Sequence, residues 1–483
     1  MTETHLTVLS DRATHGSAGV FLALLVTMAA TGLADEKLPA DSLMGTGVLI
    51  DGIHANDLTT VGLRPDVYGY HETAGYRRPF EYLRAQGIRC DRVTEGVLDA
   101  ERLAGYRLLF VNLVSAERPP LLVSEIAAIR SFIARGGSML VITDHTNCYY
   151  HAWRLKPLLA ELGIDSFTDT ACDQPPHTLA DGPGWVTVTR FDPHPVTKGL
   201  RRIALQTGGL VDSRWAVAWT SDQSWADVWI SGPFGEANAP GFYGNFVADA
   251  DEPAGSLGVV LAKEFERGRI VIVGDQNLFG ESFLHYADNY RLWLNIVAWL
   301  LHDERLCDAS AYRQWRRPRI VLYEPADDPV FGNCEPQGLY NSLVLLGRHY
   351  WTFASDDLSE PADLVVFAFN EQKVETSVVR AAARHLRDGK NILILNAERQ
   401  LLWDENGAIG RILDQAAAER PTPRETPGKL IINPPDGGSI LVLGPDGVLD
   451  NGVLPPPTSA PSEDQQRQGE MLIDAVRAAL PST

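Results

Sequence analysis

Three stretches of this sequence set an aspartate and further polar side chains directly behind a run of β-branched residues. They are Asp51-Gly52-Ile53-His54-Ala55-Asn56-Asp57, Asp144-His145-Thr146-Asn147-Cys148-Tyr149-Tyr150-His151 and Gly274-Asp275-Gln276-Asn277. Ligands of open parallel α/β sheets bind beyond the carboxyl ends of the strands, so these positions are where chemistry is expected. Three uses fit the residue types. Carboxylates with His54 or His145 could hold a divalent cation through oxygen and imidazole ligands. Asp144, His145 and Asp275 could act as general acid and base on a polar substrate. In the third use, Asp51, His54, Asn147, Tyr149, His151 and Asn277 form the ligand-binding set. Their polar groups would bond the hydroxyls of a sugar-like ring, with Tyr70, Tyr149, Tyr150 and Trp153 stacking on it. The opposing reading is structural: Asp144 or Thr146 caps the following helix and the carboxylates brace the sheet. A second cluster, Tyr68-Gly69-Tyr70-His71 followed by Tyr76-Arg77-Arg78, stands at the start of the first helix; Arg77 or Arg78 could bind a carboxylate there, and His71 and Arg77 join the expected ligand-binding residues. His285 and His349 are isolated and read as structural or exposed.

The elements that must position these residues alternate short β runs with helical stretches, the sign of βαβ units and a parallel sheet. Strands are expected at Val48–Asp51, Cys90–Val93, Leu108–Asn112 and Ser138–Thr143, with helices near Ala74–Gln86, Ala100–Tyr106, Pro120–Ala134 and Trp153–Leu162. A hairpin, Leu257–Lys263 and Arg269–Val273, closes the sheet, and a helix at Ala287–Leu301 packs on it. Residues 164–257 are rich in Trp, Pro, Gly and Asp and read as an insertion of irregular or antiparallel structure. After the basic connector Arg313–Arg319 a second, smaller α/β unit follows, with strands at Ile320–Tyr323, Leu364–Phe369 and Asn391–Asn396 and a helix at Val374–Arg387. Its element order echoes the first unit, as a degenerate internal repeat would. The expected organisation is thus an α/β domain over 45–305, a second over 318–420, and short strands, a Pro-rich linker and a terminal helix over 421–483.

Composition bounds the function. The chain has 483 residues, enough for roughly three domains of about 150 residues each. Its 42 basic and 62 acidic side chains leave a net charge of −20, which argues against nucleic acid as a partner. Five cysteines, at 90, 148, 172, 307 and 334, form no Cys-x-x-Cys pair, so neither a structural zinc site nor a dense disulfide framework is expected. The phosphate-binding glycine loops, His-Glu-x-x-His and Gly-x-Ser-x-Gly are missing too, which removes dinucleotide, nucleotide triphosphate, zincin and ordinary serine-hydrolase readings.

Several motifs in shared order carry a family resemblance over about residues 45–302. Gly274-Asp275 followed by Tyr286-Ala287-Asp288-Asn289 resembles the closing strand and helix of class I glutamine-amidotransferase-like domains. His194-Pro195-Val196-Thr197-Lys198-Gly199 is similar to an element of the trehalose-utilisation-like, gliding-motility transport-auxiliary and intraflagellar transport families. Arg135-Gly136-Gly137-Ser138 and Leu162-Gly163-Ile164 also fit. The resemblance implies a flavodoxin-like parallel sheet. True amidotransferases carry a nucleophilic Cys after the fourth strand and a His-x-Glu after a late one. Here Asp144 stands at the Cys position and Asp275-Gln276-Asn277 at the dyad, with Cys148 about one helical turn late. The resemblance therefore implies the fold without glutamine hydrolysis.

Ser17 to Ala34 is an apolar stretch of eighteen residues ending in Gly32-Leu33-Ala34, small residues placed as signal peptidase prefers. Residues 1–34 accordingly read as a signal peptide or anchor, giving a periplasmic, secreted or membrane-anchored protein, with a cytoplasmic location left open. Any membrane contact would run through that segment. The expected function is binding a small polar, carbohydrate-like ligand or an envelope protein. The alternative is a hydrolase acting on a carbohydrate-like substrate through Asp144 and His145, with or without a metal.

Overall fold

The apolar runs that close on the three aspartates are fully buried strands. In a computed structural model, residues 45–55, 62–64, 74–179, 182–229, 244–325, 338–368, 374–395, 407–416, 423–426, 429–434, 437–444 and 462–480 are described. His71, Tyr70 and residues 17–34 fall outside them. No described helix is long and apolar enough to cross a membrane.

The first sheet has eight strands. They are β1 (Gly47–Asp51), β2 (Cys90–Val93), β3 (Tyr106–Asn112), β4 (Ser138–Ile142), β5 (Arg190–Phe191), β6 (Ala216–Trp219), β7 (Gly258–Phe265) and β8 (Gly268–Val273), in the order β2-β1-β3-β4-β8-β7-β6-β5. β1 to β4 and β8 run parallel; β7, β6 and β5 continue antiparallel. Helices cover both faces of a parallel sheet, which is why β1 and β4 are buried along their whole length. On one side lie α1 (Arg77–Ala85) and α5 (Asn289–Leu301), where Phe80, Phe110 and Trp293 pack edge to face. On the other, α3 (Val123–Ala134) and α4 (His151–Glu161) bury Ile129, Phe132 and Leu158 against Leu109, Val141 and Ile272, with the short α2 (Ala100–Ala104) beside them. α3 stops at Gly136, whose φ of 111° lets the amides of Gly136 and Gly137 turn back onto Ile133 and Phe132. The flavodoxin-like sheet expected from the motifs is present.

The stretch 164–257 is antiparallel as expected, but part of it belongs to the sheet. β5 and β6 extend the main sheet, while Asp169–Cys172 pairs with Trp225–Val228, and Gly182–Val188 pairs with Thr178–Leu179 and Ile203–Ala204.

The second sheet contains β9 (Arg319–Tyr323), β10 (Trp351–Ser355), β11 (Leu364–Phe367), β12 (Asn391–Ile394), β13 (Arg424–Thr426), β14 (Lys429–Ile432) and β15 (Ile440–Leu443), ordered β10-β9-β11-β12-β15-β14-β13. Apart from the outermost strands, its order and strand directions match the first sheet. Helices α7 (Gly338–His349), α8 (Thr376–Arg387), α9 (Ala408–Ala416) and α10 (Glu463–Ala479) accompany it, α6 (Ala309–Gln314) having preceded it in the connector. The two sheets meet at one edge. Tyr286 bridges to Ala354 of β10, and His285 sits between Thr352 O (2.9 Å) and Tyr312 Oη (2.9 Å) while stacking on Phe353. His285 is thus structural, as its isolation suggested.

Candidate functional site

Two carboxylates meet behind β4 and β8. Asp275 is fully buried, and its Oδ2 accepts the amide of Gln206 (2.6 Å) while Oδ1 accepts that of Asn277 (2.7 Å). Asp144 lies beside it with 5% of its surface exposed and accepts the amide of His145 (2.8 Å). Burial pushes the Asp275 carboxyl up to about 7 even against those amides. Burial, and then the neighbouring Asp275 charge, hold Asp144 well above the carboxylate range. Tyr76 sits against the pair and donates from its hydroxyl to Gln276 O (2.5 Å). Its own titration is driven far up by burial and then by the two aspartates.

The turn after β4 is strained. Thr146, Tyr149 and Tyr150 hold φ values of 45°, 53° and 56°, a left-handed conformation that costs non-glycine residues of order 1–3 kcal/mol each and concentrates at functional sites. The turn brings His145, Cys148 and His151 under Asp144. His151 donates from Nδ1 to Cys148 O (2.8 Å) and accepts the Asp144 amide at Nε2 (3.4 Å), with the Cys148 sulfur 3.8 Å from Nδ1. Burial lowers His151 to about 4; burial and then His151 lower His145 to about 3. The Cys148 thiol is pushed well up by burial and by Asp144. Both imidazoles are therefore neutral and the thiol protonated at pH 7, the reverse of the thiolate–imidazolium pair that nucleophilic catalysis needs.

Asp144, His145 and Cys148 place one ligand atom each within 4.8 Å of one another, all buried. A thiol in this set suits zinc better than the hard cations expected from aspartates alone.

Outside the turn, Tyr150 stacks on Trp153 (5.5 Å), and Trp229 stands edge-on to Trp153 (5.3 Å). Trp153 is 56% exposed, so this aromatic group faces solvent. In the interior, Asn112 at the end of β3 is 1% exposed and neither of its amide atoms has a partner among the described residues; the same holds for Asn147 Nδ2, although Asn147 Oδ1 accepts the Ala152 amide (3.2 Å). Native interiors rarely leave such groups unpaired. Asn112 was missed in the sequence because it reads as the last residue of an apolar run. The signal available was its position, a carboxyl end next to that of β4.

Asp51 does not converge with the other two aspartates. Its Oδ2 lies 3.0 Å from His54 Nδ1, and His54 Nε2 lies 3.3 Å from Glu125, which also accepts the amides of Leu98 and Leu122 (2.8 Å each). Burial alone would lower His54, but the two carboxylates outweigh it and raise its pKa. β3 lies between β1 and β4, so this cluster braces the β1 turn separately. Arg77 is also apart: it is exposed and pairs with Glu81 (2.6 Å). Asn277 joins the site through its backbone amide on Asp275.

The segment between β5 and β6 crosses this site. The amide of Gly209 donates to Gly274 O (2.6 Å), and any Cβ at Gly209 would collide with the carbonyl of Asp144. With the Gln206 amide on Asp275, the 206–209 stretch lies directly on the ends of β4 and β8.

No family model matches the chain, and no curated protein matches it. Among solved structures it is similar to the mmIFT52 N-terminal domain, at 14% identity over 53% of this chain and 97% of that one, with a TM-score of 0.39. A thua-like protein from Bacteroides uniformis ATCC 8492 is similar at 15% identity, over 53% of this chain and 92% of that one, with a TM-score of 0.31. A cytoplasmic protein from Salmonella typhimurium LT2 gives 14% identity, 53% and 98% coverage and a TM-score of 0.30.

Proposed function

We propose that this chain is a ligand-binding protein of the cell envelope, built on an amidotransferase-like α/β fold without the Cys–His–Glu triad. Its ligand is a neutral, hydroxyl-rich, carbohydrate-like molecule held at the carboxyl ends of β3, β4 and β8. The observation that carries this reading is the pair of buried amides, Asn112 and Asn147, with hydrogen-bonding atoms unpaired among the described residues, at the strand end and turn next to Asp144, with the rings of Tyr150, Trp153 and Trp229 clustered where that turn enters α4. Hydroxyls would satisfy such groups, and Tyr150, Trp153 and Trp229 offer ring faces to the apolar side of a sugar. The envelope location rests on the apolar segment ending at Ala34.

The test is isothermal titration of mono- and disaccharides into the full chain, beside Trp153→Ala and Asn147→Leu. A saturable heat that both substitutions abolish, with the fold intact by circular dichroism, supports the reading. Equal heats in all three proteins, or none in the wild type, defeat it. Fractionation of cells expressing the full chain tests location.

One observation favours the alternative of a hydrolase acting on a carbohydrate-like substrate: the raised Asp144 and Asp275 carboxyls, a pattern that general acids share. In that case Asp144 would act as the acid, with neutral His145 beside it; a zinc held by Asp144, His145 and Cys148 would need the Asp144 carboxyl ionised, and the metal-assisted form would leave the acid role to Asp275. Turnover of an aryl glycoside that disappears in Asp144→Asn would establish it.

A further inference from the structure

Away from the strand ends, a cavity of about 810 Å³ opens where the β7–β8 hairpin, the last turns of α5 and the turn 194–199 come together. Arg269, one of its lining residues, stands at the amino end of β8, so the cavity lies at the opposite pole of the sheet from Asp144 and Asp275. Its size falls within that of small-molecule sites, roughly 300–1,000 Å³. The turn is the His194-Pro195-Val196-Thr197-Lys198-Gly199 motif noted in the sequence, and it is fixed in place. Buried Asn295 of α5 donates from Nδ2 to Val196 O (3.1 Å) and Lys198 O (2.9 Å), and His194 Nδ1 accepts the Val196 amide (3.2 Å).

Rings and charges share the wall. Trp299 is 8% exposed, with the His194 ring edge-on to it at 4.8 Å, and Trp215 is 40% exposed. Beside them stand charges of both signs. Glu264 of β7 and Arg269 of β8 are opposed in register, which sets their Cβ atoms about 5 Å apart on one face of the sheet. Arg269 donates to Trp299 O (2.7 Å), and its guanidinium lies 4.9 Å from the centre of the Trp299 ring. Among the described residues neither Glu264 nor Arg269 makes an ion pair. A free α-amino acid bears its ammonium and its carboxylate on one carbon, so it needs a carboxylate and a cation side by side, as this cross-strand pair provides. The guanidinium fork matches the paired oxygens of a carboxylate, and indole rings pack well against another aromatic ring. We propose that this cavity is a binding site for a free α-amino acid with an aromatic side chain. Its ammonium meets Glu264, its carboxylate meets Arg269 and Lys198, and its ring lies against Trp215 and Trp299. The site is separate from the carboxyl ends of β3, β4 and β8 and does not depend on the ligand held there.

The test is titration calorimetry of the full chain with L-tryptophan, beside N-acetyl-L-tryptophan, which lacks the ammonium, and L-tryptophanamide, which lacks the carboxylate. Saturable binding of L-tryptophan is expected, with each derivative about tenfold or more weaker, since hydrogen bonds to charged groups are among the stronger ones. Glu264→Gln should weaken L-tryptophan by a like factor and leave N-acetyl-L-tryptophan, which has no ammonium to lose, unchanged. Glu264 is exposed, so this substitution disturbs no packing. A control, Glu266→Gln, removes the same charge from the neighbouring turn and should bind like the wild type. The proposal is overturned if L-tryptophan does not bind saturably, if either derivative binds as tightly as the parent, or if Glu264→Gln binds L-tryptophan like the wild type. It is equally overturned if Glu264→Gln and Glu266→Gln lose the same affinity, which would reduce the effect to net charge.

Discussion

The two parallel sheets share strand order and direction, yet their carboxyl ends differ in kind. In the first, β4 leads to Asp144 and β8 to Asp275, two buried carboxyls that repel one another. In the second, β12 and β15 run into Leu395 and Leu443, both buried and apolar, and Gly444 stands by register where Asp275 stands in the first. Behind their first strands both sheets carry an acid: β1 ends in Asp51, and β9 is followed by Glu324, which accepts the Tyr286 hydroxyl (2.7 Å) across the junction of the sheets. The second sheet acts as an internal control. A sheet of this order closes behind β15 on Gly444, so packing does not require a carboxylate at the end of β8, and the desolvation of Asp275 is a cost the first sheet bears for another reason.

Substitutions can break this comparison at successive depths. Asp275→Ala orphans the amides of Gln206 and Asn277 and should cost about 3 kcal/mol, measured by urea denaturation. A cost near zero would mean that the first sheet closes without a carboxylate as readily as the second. Glu324→Ala removes the acceptor of a buried tyrosine and should cost about 2 kcal/mol, read in the same way. Capping of the second sheet's terminal helix should matter least. Ser462 accepts the Gln465 amide (3.2 Å), and Ser462→Ala should cost about 1 kcal/mol by thermal unfolding.

A pH series sharpens the same contrast without a large structural change. A carboxyl whose pKa is higher folded than unfolded binds more protons in the folded state, so its contribution to stability falls as pH rises from the unfolded value toward the folded one. For Asp275 that window runs from about 4, the ordinary carboxyl value, to about 7. The stability of the wild type relative to Asp275→Asn should therefore decline across that window and level off above it. His54, raised by Asp51 and Glu125, loses its contribution at higher pH, above its ordinary value, and does so in both proteins. A flat difference would show that Asp275 keeps an ordinary acidity.

Much of the scaffold was legible because apolar runs and helix stop signals are local. β1 to β4, α3 with its Gly136-Gly137 ending, and the β7–β8 hairpin lie within a few residues of where their patterns place them. α7 and β10 were missed: Trp351-Thr352-Phe353-Ala354-Ser355 is too short and mixed to announce a strand, and it is the partner surface around His285 that buries it. At the site, Asp144 and Asp275 were legible from their place behind strands, whereas the assignment of Asp51 failed. Asp51 pairs with His54, and the carboxylate on the other side of that ring, Glu125, comes from a helix 74 positions along from Asp51, a contact that no pattern near Asp51 contains. Asn112 escaped for the opposite reason: its neighbours are apolar, and only the missing hydrogen-bond partners of its buried amide mark it.

The strap formed by residues 206–209 has a consequence in time. It lies over strand ends that β4 and β8 complete through their own ladder, so it can lift while that ladder stays closed. Local openings of this kind are cheaper than global unfolding. The amides of Gln206 and Gly209 should exchange their hydrogens well before those of Val141 and Ile272. The rate of that exchange then sets an upper limit on how fast anything from solution can reach Asp144 and Asp275 from that side.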